Sequence, residues 1–139
     1  MWLYEGRQFN GDPNEHYGYV YQITNLTNGR KYIGRKYFTA SKTRQVKGKK
    51  KRSRVESDWS SYWGSNEELK KDVKEHGEEN FKREILRLCK TRAECSYYET
   101  RYIFLVDALL KKEYYNGWMS ARIRGAHLKH LFEDEENDV

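Results

Sequence analysis

The chain has 139 residues, 35% charged and 15% aromatic, with 27 Lys and Arg against 21 Asp and Glu for a net charge of +6. That length fits one domain, spanning residues 1–132 with a tail at 133–139. Two cysteines, Cys89 and Cys95, are too few for a disulfide framework, and no apolar run is long enough to cross a bilayer. No secretory apolar segment opens the chain, so an intracellular, cytoplasmic protein is expected. The tail holds five of the acids, which leaves a body of 27 basic and 16 acidic residues, net +11. Such a body suits a polyanionic partner, nucleic acid first, although solvated surface lysines would give the same total.

Residues 1–16 are polar, carry a turn cluster at Gly11-Asp12-Pro13-Asn14 and read as an irregular arm. Residues 17–24 and 31–38 alternate as two strands. They flank Asn28-Gly29, a pair that tolerates the backbone of a hairpin turn. Eight of the thirteen residues at 42–54 are Lys or Arg, inside an insertion at 39–57 without apolar periodicity. This segment reads as a loop that is disordered or ordered only by a ligand.

Ser65 and Glu68 have the spacing of a capping box, which predicts a helix over 66–76 with Leu69 and Val73 inward and Gly77 as its stop. Residues 81–88 read as a third strand. Thr91 and Glu94 form a second capping box, and an apolar helix should run from there to Leu110 with a break near Asp107. Residues 114–117 make a turn. Residues 121–132 are a basic helix candidate carrying Arg122, Arg124, His127, Lys129 and His130, and the acidic tail is expected to be disordered.

Strand alternation gives the hairpin its chemical interest. With Val20 and Ile33 turned into a core, Tyr21, Tyr32 and Lys36 share the opposite face. Tyr19-Val20-Tyr21 and Tyr32-Ile33-Gly34, at hairpin spacing, resemble the paired motifs of the GIY-YIG nuclease superfamily. The second triplet matches letter for letter. The first lacks the leading glycine, and Gly18 lies one residue earlier. The resemblance extends over about residues 17–120.

The resemblance implies an α+β fold with a small three-stranded antiparallel sheet flanked by helices. It also implies metal-dependent endonuclease activity of a homing-endonuclease-like kind. Glu99, on the helix after the third strand, takes the position of the single metal ligand, for one Mg²⁺ or Mn²⁺. Tyr21 would accept a proton from the attacking water, and Tyr32 would position that water or the phosphate. Asn116 either braces the site or is a plain turn former before Gly117. The family places a phosphate-binding cation on its first helix, which the basic insertion displaces here. Arg35, Lys36 or a cation between Lys42 and Arg54 could serve instead, and strand parity favours Lys36.

DNA affinity would come from Lys42, Arg44, Lys47, Lys49, Lys50, Lys51, Arg52 and Arg54, from Trp63 by stacking, and from Arg122, Arg124, His127 and Lys129. Sequence specificity would be modest, or supplied by a dimer or a protein partner; monomer and homodimer both stay open. A phage-encoded protein in a bacterial host fits the resemblance. A catalytically inactive nucleic-acid-binding module on the same fold is the alternative, as is a nuclease for branched DNA or RNA.

Overall fold

The protein is seen in a computed structural model that describes residues 1–119 and 122–131. Among the described residues, seven strands and two complete α-helices run in the order β1 (Trp2–Tyr4), β2 (Arg7–Gln8), β3 (Gly18–Asn25), β4 (Lys31–Tyr37), β5 (Thr39–Val46), β6 (Lys49–Glu56), α1 (Glu67–His76), β7 (Phe81–Cys89) and α2 (Arg92–Leu105). The architecture is α+β, as expected. The main sheet, however, has five strands rather than three, in the order β2-β1-β7-β3-β4. The extra strands come from the segment read as an irregular arm. Trp2 is 3% exposed, and its ring sits edge-on to Tyr19 and Tyr21 at 5.0 and 5.3 Å. Burying that indole offsets the ordering of the N-terminus. β1 pairs parallel with β7, almost eighty residues away in sequence, and β2 folds back on β1.

β3 lies between β7 and the edge strand β4, antiparallel to both. Its register with β7 slips between Val20 and Tyr21, a bulge that leaves Leu86 of β7 outside the pairing. The hairpin between β3 and β4 is looser than a two-residue turn. Only Gly29 of the Asn28-Gly29 pair has a positive φ, and the buried Asn25 organises the loop by accepting from Thr27 N and Oγ1 at 3.0 and 2.6 Å.

Both faces of the sheet are covered, which the alternating strands did not reveal. Tyr19, Tyr21 and Ile23 pack with Trp2, Phe38 and Ile85 under Leu69 and Val73 of α1. Val20, Ile33 and Cys89 pack on the other side with Cys95 and Ile103 of α2. Each cysteine is free and buried.

Asn66, not Ser65, caps α1: its Oδ1 accepts from Leu69 N at 2.9 Å while its Nδ2 donates to the Tyr115 carbonyl at 3.0 Å. The second contact fixes the choice between two adjacent residues of similar capping strength. Thr91 caps α2 as the spacing predicts, and α2 ends before Asp107, which takes a left-handed backbone.

The basic insertion is not a loop. β5 and β6 form a separate two-stranded sheet closed by Lys47 and Gly48, both at positive φ. Its strand pairing was hidden because nearly every side chain on both faces is polar, so no alternation marks it. The expected helix over 121–132 is met only in part among the described residues: 122–124 are irregular, Gly125–Leu128 form a 3₁₀ turn, and residues 129–131 are α-helical. Ala121, Phe132 and the acidic tail lie outside the described residues.

Candidate active site

β4 is the edge strand of the sheet, and residues 113–116 run along its free side. Lys31 N donates to the Glu113 carbonyl and Tyr115 N to the Lys31 carbonyl, each at 2.8 Å. This short parallel contact delivers Asn116 to Ile33. Asn116 Oδ1 accepts from Ile33 N at 3.0 Å, and its Nδ2 donates to the Ile33 carbonyl at 2.8 Å. One side-chain amide thus satisfies both outward backbone groups of the middle residue of the Tyr32-Ile33-Gly34 triplet. At 7% exposure, Asn116 is a buried clasp rather than a plain turn former.

A pocket of about 360 Å³ opens beside this clasp. It is lined by Tyr21, Tyr32, Arg35, Ser65, Glu99 and Asn116 among others, with Trp118 and Met119 also contributing. The pocket wraps the edge of β4, so residues from both faces of the strand reach it. Tyr21 comes from the α1 side and crosses over Gly34, its cross-strand partner. A Cβ at Gly34 would lie 2.6 Å from Tyr21 Cζ and 2.9 Å from Tyr32 Cε2. The glycine of the triplet is therefore the gap through which the phenol reaches the pocket. Tyr32 Oη meets Ser65 Oγ at 3.1 Å.

Arg35 arrives from the α2 side. Its Nη1 donates to Glu99 Oε1 at 2.7 Å and its Nε to Tyr37 Oη at 3.2 Å. Strand parity places Arg35 with Ile33, as expected from sequence. α2, and with it Glu99, packs on that same face. Lys36 lies outside this pocket: its ammonium pairs with Asp58 at 2.6 Å and sits 4.0 Å above the Tyr62 ring. Strand parity favours Lys36 because it shares a face with Tyr32, but the pocket is completed by Glu99 from the other face.

Burial sets the electrostatics. Tyr21 is 1% exposed, and loss of solvent pushes its phenol well above the ordinary tyrosine value. Burial also raises Tyr32, partly offset by the Ser65 hydroxyl. The Glu99 side chain is 15% exposed; burial raises its carboxyl above the usual glutamate range, and the Arg35 guanidinium pulls it partly back. Arg35 engages Glu99 through Oε1. A largely buried carboxylate that lines a polar pocket, with one oxygen engaged by arginine, fits a hard divalent ion completed by water and substrate oxygens.

Other expected contacts fall elsewhere. Trp63 is covered by the Arg83 guanidinium at 4.1 Å and packs edge-on to Phe81, away from the pocket. Arg122, Arg124, His127 and Lys129 are exposed on a segment that seats Leu128 against Tyr97 and Arg101 of α2, on the helix face turned from Glu99. Ser65 and the pocket mouth at Trp118 and Met119 were not foreseen as site residues. The capping-box spacing marks Ser65 as a helix cap, and nothing in the sequence points to Trp118 and Met119.

Residues 2–119 match the family described as "Putative endonuclease segE, GIY-YIG domain". The chain is 35% identical over 100 residues to "Putative endonuclease segE" of Enterobacteria phage T4, a match that covers 72% of this chain and 40% of that protein. The chain thus spans about two fifths of the length of the curated relative it matches. No solved structure matches.

Proposed function

This chain belongs to the GIY-YIG endonuclease family of the segE type, and from that premise we propose that it hydrolyses phosphodiester bonds in DNA at the pocket over Gly34. One observation carries the reading: Tyr21, Tyr32, Arg35, Glu99 and Asn116, drawn from three separate parts of the chain, meet around a single polar pocket.

Arg35 is the phosphate-binding cation of this reading. Nε and Nη1 are engaged, which holds the guanidinium plane while its remaining donors face a phosphoryl oxygen. Tyr21 is protonated at neutral pH in the free protein, so it first serves as a hydrogen-bond donor to the attacking water. Proton acceptance by Tyr21 then needs added positive charge nearby, part of which Arg35 supplies. Tyr32 and Ser65 hold the water or a non-bridging oxygen from the opposite wall. Asn116 fixes the β4 edge, so the phenol and the guanidinium keep their spacing. A Mg²⁺ or Mn²⁺ ion held by Glu99 would supply the charge that steadies the leaving 3′-oxygen.

Nicking of supercoiled plasmid with and without Mg²⁺ tests the reading. Cleavage by the unaltered protein, lost in Glu99→Gln while DNA binding persists, supports it. No metal-dependent cleavage of supercoiled, linear or branched DNA or of RNA would favour a binding module. The closure of Arg35 on Glu99 is the observation that speaks for that second reading, because each charge already has a partner. A phage setting follows the relative's source, and a homing-type role would need the sequence specificity that a partner, a dimer or further chain provides.

A further inference from the structure

The β5–β6 ribbon carries eight cations and one acid, yet it stands apart from the main sheet and has no core of its own. Almost all of it is exposed, and its apolar side chains are Ala40, Val46 and Val55. An isolated two-stranded hairpin is marginal in water. Register makes matters worse, since Arg44 stands directly opposite Lys51, a like-charged pair that destabilises a ribbon. A polyanion on the ribbon reverses both effects.

The geometry narrows the polyanion. Two strands about 4.8 Å apart, with their side chains, fill a groove roughly 12 Å wide and are too broad for one of about 6 Å. Eight residues span roughly 27 Å, the rise of about eight base pairs. By register, Ser41, Thr43, Gln45, Lys50, Arg52 and Arg54 share one face. These are side chains able to hydrogen-bond base edges: arginine to guanine, glutamine to adenine.

The ribbon root is braced. Arg54 donates from Nε to Thr39 Oγ1 and from Nη2 to the Thr39 carbonyl, each at 2.8 Å. Below it a cleft of about 390 Å³ is lined by Arg35, Arg54 and Arg92 among others. Arg35 belongs both to this cleft and to the candidate active site. A line of cations therefore leads from the ribbon to the proposed reacting phosphate.

We infer that the β5–β6 ribbon is a duplex-DNA arm whose Ser41-to-Arg54 face lies in the major groove, while the cleft at its root carries the adjoining phosphates to the pocket. The inference rests on the nuclease reading for the role of the pocket, and on the ribbon alone for the groove. Duplex RNA is not the partner, because the A-form major groove is too deep and narrow to admit the ribbon.

Binding is measured by titration in EDTA, and hydrolysis separately with Mg²⁺ and bis(p-nitrophenyl) phosphate. Guanine N7 methylation within a block of about eight base pairs should weaken binding by the unaltered protein at least tenfold, and a minor-groove ligand should not displace it. The Lys50→Gln, Arg52→Gln variant should lose roughly 2 from the slope of log K against log salt, at about 0.9 per phosphate neutralised. An unchanged slope, equal affinity for duplex RNA, or interference from the minor groove overturns the arm. Groove binding without hydrolysis of any diester keeps the arm and retires the nuclease reading. Hydrolysis without major-groove interference does the reverse.

Discussion

Tyr21 and Gly34 face each other across β3 and β4, and the tyrosine hydroxyl occupies the space where any other residue at 34 would place its Cβ. The relationship explains why a glycine follows Tyr32-Ile33 on an edge strand, where glycine is otherwise unfavourable. It also ties the geometry of the pocket to one absent methyl group.

Gly34→Ala should therefore displace the Tyr21 phenol. Overpacking of this kind costs about 1–3 kcal/mol. We expect a lower denaturation midpoint and a loss of DNA nicking of about a hundredfold, since misplacement of about 1 Å has that effect. Wild-type nicking by this variant would show that Tyr21 is not used from this position.

Arg35→Lys should lose the two-point hold on Glu99 and Tyr37, and nicking should fall at least tenfold while the protein stays folded. Lys36→Ala should change nicking by less than a few-fold, because Lys36 is spent on Asp58 and Tyr62 outside the pocket. Parallel single-turnover assays separate the two, and the opposite ranking would return the phosphate-binding role to Lys36.

Asn116→Ala leaves Ile33 N–H and C=O without partners at a buried edge, at about 1–3 kcal/mol. Urea denaturation should register the loss, and the Ile33 amide should exchange faster with solvent. Asn116→Asp should be no better, since a carboxylate cannot donate to the Ile33 carbonyl.

Glu99 has a carboxyl raised by burial, so the folded protein holds its proton more tightly than the unfolded chain. The stability this contributes is present below the unfolded pKa and is lost as pH rises through the higher folded value. In metal-free urea titrations, Glu99→Gln should flatten that decline relative to the unaltered protein. Arg35→Gln should push the Glu99 carboxyl higher still, and the acid limb of the nicking profile with it.

Asn66→Ala should cost about 1 kcal/mol through loss of the α1 cap. Ser65→Ala should leave thermal stability nearly unchanged and act on Tyr32 instead. Equal melting temperatures for the two variants would contradict the assignment of the cap.

The chain by itself determined the β3–β4 hairpin, the third strand, both helices and the family, because these rest on local signals: alternation, caps, and paired triplets at a fixed spacing. It also named Tyr21, Tyr32, Arg35, Glu99 and Asn116 as candidates that the fold brings to one pocket. What only the tertiary structure decided depends on contacts between distant segments. Trp2 joins β7 because the sheet offers its indole a buried seat, and Asn66 rather than Ser65 caps α1 because Tyr115 lies within its reach. The choice of Arg35 over Lys36 is of the same kind. Alternation assigns side chains to faces, but which face meets the acid is fixed by where α2 packs, and a pocket that wraps an edge strand draws on both.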